Sequence, residues 1–273
     1  MQLIPYKDGM FTRISISLVL FLIVFPAKAH DLWLIPPENA MVGKAIVIRA
    51  NVGMDFPKSE HALDPALFKR RLLIGPDGKP GELRAAGKKE KSGLLEFQAT
   101  QPGVYVLAVE TQPKLITLKA DAFNAYLIDD GLPHIYRLRH KEKTLDQPGR
   151  ERYSKHCKAL VKVRTSDGDP CKAVGLLLEI VPLRDPFALK PGESLPVRVL
   201  FQSRPLPEAN VGWQYPGDGN VARGYVRTDD KGQALIPIAG SGLMTIRLTH
   251  MTRPRAKDYE WESFWTTLTF RVP

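Results

Sequence analysis

The 273-residue sequence predicts an all-β protein built from two β-sandwich domains, Ig-like or transthyretin-like, with a short helical and basic connection between them. Three observations lead there. Short apolar or alternating runs recur along the chain and are stopped by Pro, Gly, Asp and Asn, with 23 Pro and 21 Gly in all, the pattern of strands and tight turns. Only the stretch beginning at Asp121 carries a clear helical repeat of three and four residues. Once a leader is removed, about 244 residues remain, which suits two domains of roughly 120 residues each.

The leader is expected over residues 1–29. A partly basic segment from Lys7 to Arg13 precedes an apolar stretch from Ile14 to Pro26, and Ala27-Lys28-Ala29 has the small-x-small form of a signal-peptide cleavage site. The apolar stretch is shorter than the roughly 20 residues that span a bilayer. Cleavage after Ala29 makes His30 the first residue, and the expected location is the periplasm, with no transmembrane segment in the mature chain.

The N-terminal sandwich is expected over residues 30–120. Leu32-Trp33-Leu34-Ile35 reads as a first strand stopped by Pro36-Pro37, and Lys44 to Asn51 alternates as a second. A loop from Gly53 to His61 follows, with His61 in solvent. Leu72-Leu73-Ile74 runs into the turn Gly75-Pro76-Asp77-Gly78, where Pro fixes φ and Gly tolerates a positive one. Ala85 to Ser92 is polar and basic and reads as an exposed turn. Leu94 to Ala99, Gly103 to Val109 and Leu115 to Lys119 complete the strands.

The connection is expected over residues 121–158. Phe123, Tyr126 and Leu127 share one helix face, Asp121 stands where an N-cap belongs, and Gly131 where a C-terminal cap belongs. From Arg137 to Arg164 ten Lys or Arg face three acids, so His134, His140 and His156 are expected at the surface. The C-terminal sandwich, 159–273, reads as eight strands: Ala159–Arg164, Gly175–Val181, Leu195–Phe201, Val211–Tyr215, Ala222–Thr228, Gln233–Ile238, Leu243–His250 and Phe264–Val272. Arg204 to Val211, followed by Thr228 to Gly232, is similar to the transthyretin-like or carboxypeptidase-regulatory repeat.

A formal charge of +10 for the chain falls to +8 without Lys7, Arg13, Lys28 and Asp8. The excess suits an anionic envelope surface; the bases alternate with acids rather than clustering with aromatics, and no nucleic-acid partner is expected. Cys157 and Cys171 both lie in the exported part, where an oxidising compartment permits a bridge. A hairpin centred on Asp167-Gly168 pairs Cys171 with about Arg164, which argues the other way, and the pairing stays open.

An N-terminal histidine offers an α-amine and an imidazole nitrogen on one residue, a bidentate chelate for a divalent transition metal. His250 is the second candidate: alternation from Leu243 places it at the end of the face carrying Met244, Ile246 and Leu248. With His30 nearby, two imidazoles and an amine would make a three-nitrogen set suited to Cu(II) or Ni(II). Asp31 and Glu262 are the expected oxygen ligands or partners of the ligating imidazoles. The sequence holds no Gly-x-Ser-x-Gly, His-Glu-x-x-His or Cys-x-x-Cys pattern and no phosphate-binding Gly-rich loop. No catalytic residue is assigned.

With these residues in view, the chain resembles the NikM-like family of exported proteins, a family linked to nickel and cobalt uptake. The resemblance runs through Ala29-His30-Asp31-Leu32-Trp33-Leu34, Gly53-Met54-Asp55-Phe56-Pro57, Phe123-Asn124-Ala125-Tyr126-Leu127, Arg150 to Lys155, Leu178 to Pro182, His250-Met251 and Trp261 to Phe270. It implies a periplasmic, β-rich protein acting in transition-metal handling; with the nitrogen donors above, the expected ion is Ni, Co or Cu. His30 and His250 match family positions, and the implied partners are the metal ion and an envelope or metal-uptake membrane protein. The expectation is a metal-binding accessory or carrier and not an enzyme. Two alternatives stand beside it: an envelope interaction module without metal, and a copper oxidase with an N-terminal histidine brace.

Overall fold

The computed structural model describes residues 30–217 and 221–273; the expected leader and its cleavage site lie outside them. In chain order the first half contains β1 (Asp31–Ile35), β2 (Ala45–Gly53), β3 (His61–Ala62), β4 (Phe68–Ile74), β5 (Pro80–Gly81), β6 (Arg84–Lys89), β7 (Ser92–Gln98), β8 (Gly103–Thr111) and β9 (Lys114–Leu118). Two helices follow, α1 (Ala120–Asp129) and α2 (Pro133–Lys141). The remainder is β10 (Gly149–Val163), β11 (Leu178–Pro182), β12 (Ser194–Phe201), β13 (Arg204–Pro205), β14 (Asn210–Tyr215), β15 (Ala222–Arg227), β16 (Gln233–Pro237), β17 (Gly242–Thr252) and β18 (Trp261–Val272).

The fold is all-β and sandwich-like, as the turn-punctuated sequence predicts. Three sheets form among the described residues. A large one runs β15-β14-β17-β18-β10-β8-β4-β5, with β9 on β10. A second, β1-β2-β7-β6 with β3 on β2, covers one of its faces, and a third, β11-β12-β13 with β16 on β12, covers the other. The large sheet draws strands from both expected domains, and β10 passes unbroken through the expected boundary at 158/159. Pairing of β10 with β8 on one side and, in parallel, with β18 on the other joins the two halves through one continuous sheet.

Alternation along β10 and β18 separates two cores. On one face Leu107, Val109, Cys157, Ala159 and Val161 pack with Leu32, Leu34, Ile48 and Phe97. On the other, Leu160, Leu268, Phe270, Met244 and Ile246 pack with Leu178, Val197, Val199 and Ile236 of the third sheet. Burial of these aliphatic and aromatic side chains contributes about 1.5–3 kcal/mol each against solvent.

The helical stretch appears where its repeat predicts, with Phe123, Tyr126 and Leu127 buried. Its C-terminus closes on Gly131, at φ 74°, where the amide of Leu132 donates to the carbonyl of Leu127 at 2.8 Å and that of Gly131 to Ile128 at 3.2 Å, a Schellman closure. Lys119 rather than Asp121 occupies the N-cap, without a side-chain bond, and Asp121 sits in the first turn. Two other expectations give way. Arg84 to Lys89 is a polar edge strand instead of a turn. His156 is buried on β10 rather than exposed.

Cys157 and Cys171 are free. Cys157 points inward and its thiol donates to the carbonyl of Leu32 at 3.1 Å; burial pushes it up to about 12. No helix among the described residues is long and apolar enough to cross a membrane.

Candidate functional site

Strand register assembles a histidine pair at the start of β1. Leu32 pairs with Val52 on β2, and Val52 pairs with His61 on β3. Directly paired residues of an antiparallel ladder share a face, as do residues two apart. His30, two before Leu32, therefore lies on the face that carries Val52 and His61. The rings meet edge to face with centroids 5.5 Å apart.

The loop between β2 and β3 supplies a carboxylate. It turns back tightly: a Cβ at Gly53 would stand 2.6 Å from the carbonyl oxygen of Lys58. The Ser59 hydroxyl ties the loop to Lys91 at 2.6 Å. Glu60 then reaches His30, its Oε2 lying 2.8 Å from Nε2 of the ring, while its Oε1 accepts from the amide of Met54 at 2.9 Å. The hydrogen bond from His30 and the one from the Met54 amide hold the Glu60 carboxyl below the usual range. Partial burial, with the nearby His30 and Lys155, lowers His61, which keeps its ring neutral near pH 7 and its lone pair available.

The large sheet forms the floor. The ammonium of Lys155 on β10 donates to the carbonyl of His30 and stands 5.7 Å from the ring centroid of Trp265 and 5.8 Å from that of Tyr153. Beneath the two histidines lies a cavity of about 120 Å³ lined by Val52, Ile116, Leu118, Glu151, Tyr153, Lys155 and Trp265.

Of the four residues expected as metal ligands, only His30 is at this place. Asp31 points to the other side of β1 and pairs with Arg247, Oδ2 to Nε 2.6 Å; Arg247 also holds Asp130 and the hydroxyl of Tyr225. Glu262 accepts from Nε of Arg152 at 2.8 Å. His250 pairs directly with Phe264 on β18 and packs against the ring of Phe201, centroids 4.5 Å apart. Phe264 and Trp265 are consecutive on β18 and face opposite ways, so His250 and Glu262 lie across the large sheet from His30. The apolar face assigned to His250 is real, but it packs on the third sheet and not on the N-terminal strands. Partial burial drives His250 down to about 4, the state of a neutral imidazole packed at the edge of the core.

Among the described residues no group of three or more His, Cys, Asp or Glu side chains is disposed around a common point. The His30–His61 pair supplies two imidazoles, and cleavage after Ala29 would free an α-amine on His30 as a third nitrogen. The position of Glu60 fits that chelate. An α-amine and Nδ1 of the same histidine close a six-membered ring on a metal ion, and the outer nitrogen, Nε2, then donates to a second-shell acceptor. With metal–nitrogen bonds of about 2.0–2.1 Å, two imidazoles on one ion have centroids roughly 4.5 Å (cis) to 6.3 Å (trans) apart; the observed separation lies between. These residues fit a divalent transition metal.

The profile of a family described as a domain of unknown function, DUF4198, matches residues 27–252. The chain belongs to the DUF4198 family. The match takes in His30, Glu60, His61 and His250 and leaves all of β18 beyond it. The match assigns no function and shows no link to nickel or cobalt uptake. No curated protein matches the chain.

Glu60, His61 and Lys155 are the site residues that sequence reasoning missed. Their signal was present only in part: Glu60-His61 stands out as an acid beside a histidine in a Gly- and Pro-bounded loop, but nothing local says that β1 and β3 flank the same end of β2.

Proposed function

We propose that the mature chain, beginning at His30, is a periplasmic protein that binds one divalent transition metal ion, acting as an accessory or carrier in nickel or cobalt uptake. The α-amine and Nδ1 of His30 and one imidazole nitrogen of His61 are the ligands; Glu60 orients the His30 ring through Nε2. The ion is cargo, and the protein captures it and hands it on without catalysing a reaction. The observation that supports this best is the engagement of His30 Nε2 by Glu60 with the His61 ring at 5.5 Å, which leaves Nδ1 for the chelate. Three nitrogens suit Cu(II) and Ni(II), and by the general affinity order Cu(II) binds more tightly than Ni(II) or Co(II), so supply decides the physiological ion.

Calorimetric titration of the mature chain with Ni(II), Co(II) and Cu(II), beside His61→Ala, tests the ligand set. One ion per chain, with affinity reduced at least tenfold in H61A, is expected. Equal affinity in H61A would remove His61 from the site.

A further inference from the structure

The cavity beneath the two histidines is more than packing space. Its volume, about 120 Å³, corresponds to about four waters at roughly 30 Å³ each. One wall is apolar and aromatic: Val52, Ile116, Leu118 and Trp265. The polar wall is Glu151 and Lys155. Glu151 is only 3% exposed, and the hydroxyls of Tyr126 (3.3 Å) and Ser263 donate to its Oε1. The Glu151 carboxyl is one of the groups that line the cavity. Lys155 forms no ion pair with a carboxylate among the described residues; its ammonium rests on the His30 carbonyl and the two aromatic faces.

We infer that this cavity is a binding site for a small monocarboxylate of about propionate size, held by Lys155 and Glu151 with its hydrocarbon body against Ile116, Leu118 and Trp265. Charge sets the sign of the ligand. Lys155 forms no ion pair among the described residues, and burial raises the Glu151 carboxyl to about 7, so that its protonated form can donate a hydrogen bond to an anion. An organic cation would meet Lys155 unfavourably, and an uncharged alcohol would leave that ammonium without a counter-charge. Size sets the chain length, since a carboxylate with two or three further carbons fills the space of about four waters. The site adjoins His30 and His61, so its occupant can complete the coordination of an ion held there; that companion role rests on the metal-binding reading above, whereas the carboxylate site itself does not.

The indole N–H of Trp265 donates to the Ser263 hydroxyl at 3.0 Å, and that hydroxyl in turn donates to Glu151, so the indole resonance reports on the cavity. The mature chain, labelled with 15N and metal-free, is titrated with sodium propionate, with 1-propanol and propylammonium as uncharged and cationic counterparts; Trp265→Phe assigns the resonance. A saturable shift with propionate, weakened at least tenfold in Lys155→Met and abolished in the cavity-filling Ile116→Phe, is the expected result. No shift with propionate, or a preference for propylammonium, would overturn the inference, as would an unchanged response in both folded variants. A parallel titration with Cu(II) separates the two readings. Propionate binding without metal binding would sink the metal site and keep the cavity; metal binding without a propionate response would do the reverse.

Discussion

Nε2 of His30 lies 2.8 Å from Oε2 of Glu60, and the same carboxylate reaches the amide of Met54 through its other oxygen. One loop residue thereby fixes both the orientation of the first histidine and the backbone beside it, before any ion arrives. Outer-shell acceptors of this kind typically hold 10–100-fold in metal affinity. Glu60→Gln keeps a shape that can accept from the ring but loses the charge, and Glu60→Ala loses both. We expect affinity to fall about tenfold in E60Q and further, toward 100-fold, in E60A, measured by competition with a chelator of known affinity.

His250 gives the complementary case. Its half-buried imidazole packs against Phe201 and lies across the large sheet from His30. Replacement by Phe should leave metal affinity unchanged and alter acid stability instead. The folded-state value is about 4, below the unfolded value of about 6.5, so the folded protein binds fewer protons and loses stability as pH falls from about 6.5 to about 4. That loss amounts to as much as about 3 kcal/mol for one such group. Urea unfolding at pH 7 and pH 4 should show a smaller acid loss in H250F, with His156, also held at about 4, supplying what remains.

Glu151 acts in the opposite sense. Burial raises its carboxyl to about 7, above the unfolded value, so the folded state binds the proton more tightly. Its contribution is full below about pH 4.5 and is lost as pH rises through about 7, a difference on the order of 3 kcal/mol. Glu151→Gln removes that dependence. Between pH 5 and pH 8 the stability of E151Q should fall less than that of the parent, read by the same urea titrations.

Arg247 holds Asp31, Asp130 and the hydroxyl of Tyr225 together and ties β1 and the end of α1 to β17. Arg247→Met leaves two nearly buried carboxylates without their cation, a change that costs about 3–5 kcal/mol. A fall of this size, with one-to-one metal stoichiometry retained below the melting point, is expected. Loss of stoichiometry in folded R247M would mean that Asp31 belongs to the site after all.

How far the sequence could be read follows from where each signal is local. The alternation of Leu32 to Ile35, the apolar phase of Leu243 to His250 and the glycine that ends α1 are set by near neighbours and are legible. β10 is not. Its bases made it look like a solvated connection, but Arg150 meets Glu260, Arg152 meets Glu262, and Lys158, 1% exposed, meets Glu179 at 2.7 Å. Each of these three cations is paired with a carboxylate at least 21 residues away, and that pairing helps a charged segment serve as a central strand. The site divides in the same way. His30 is marked by the cleavage pattern before it, whereas His61 becomes its neighbour through two ladder registers on β2. His250, with the right phase, faces a different partner sheet.

The most direct test of the central claim compares two purified forms, one beginning at His30 and one carrying a single extra Ala before it, titrated with Ni(II), Co(II) and Cu(II) by calorimetry. The added residue removes the α-amine from His30 and leaves both imidazoles and Glu60 in place. Tight one-to-one binding in the first form, weakened at least tenfold in the second, is the predicted result. Equal affinity in both forms, or binding in neither, would contradict an ion held by the amine of His30.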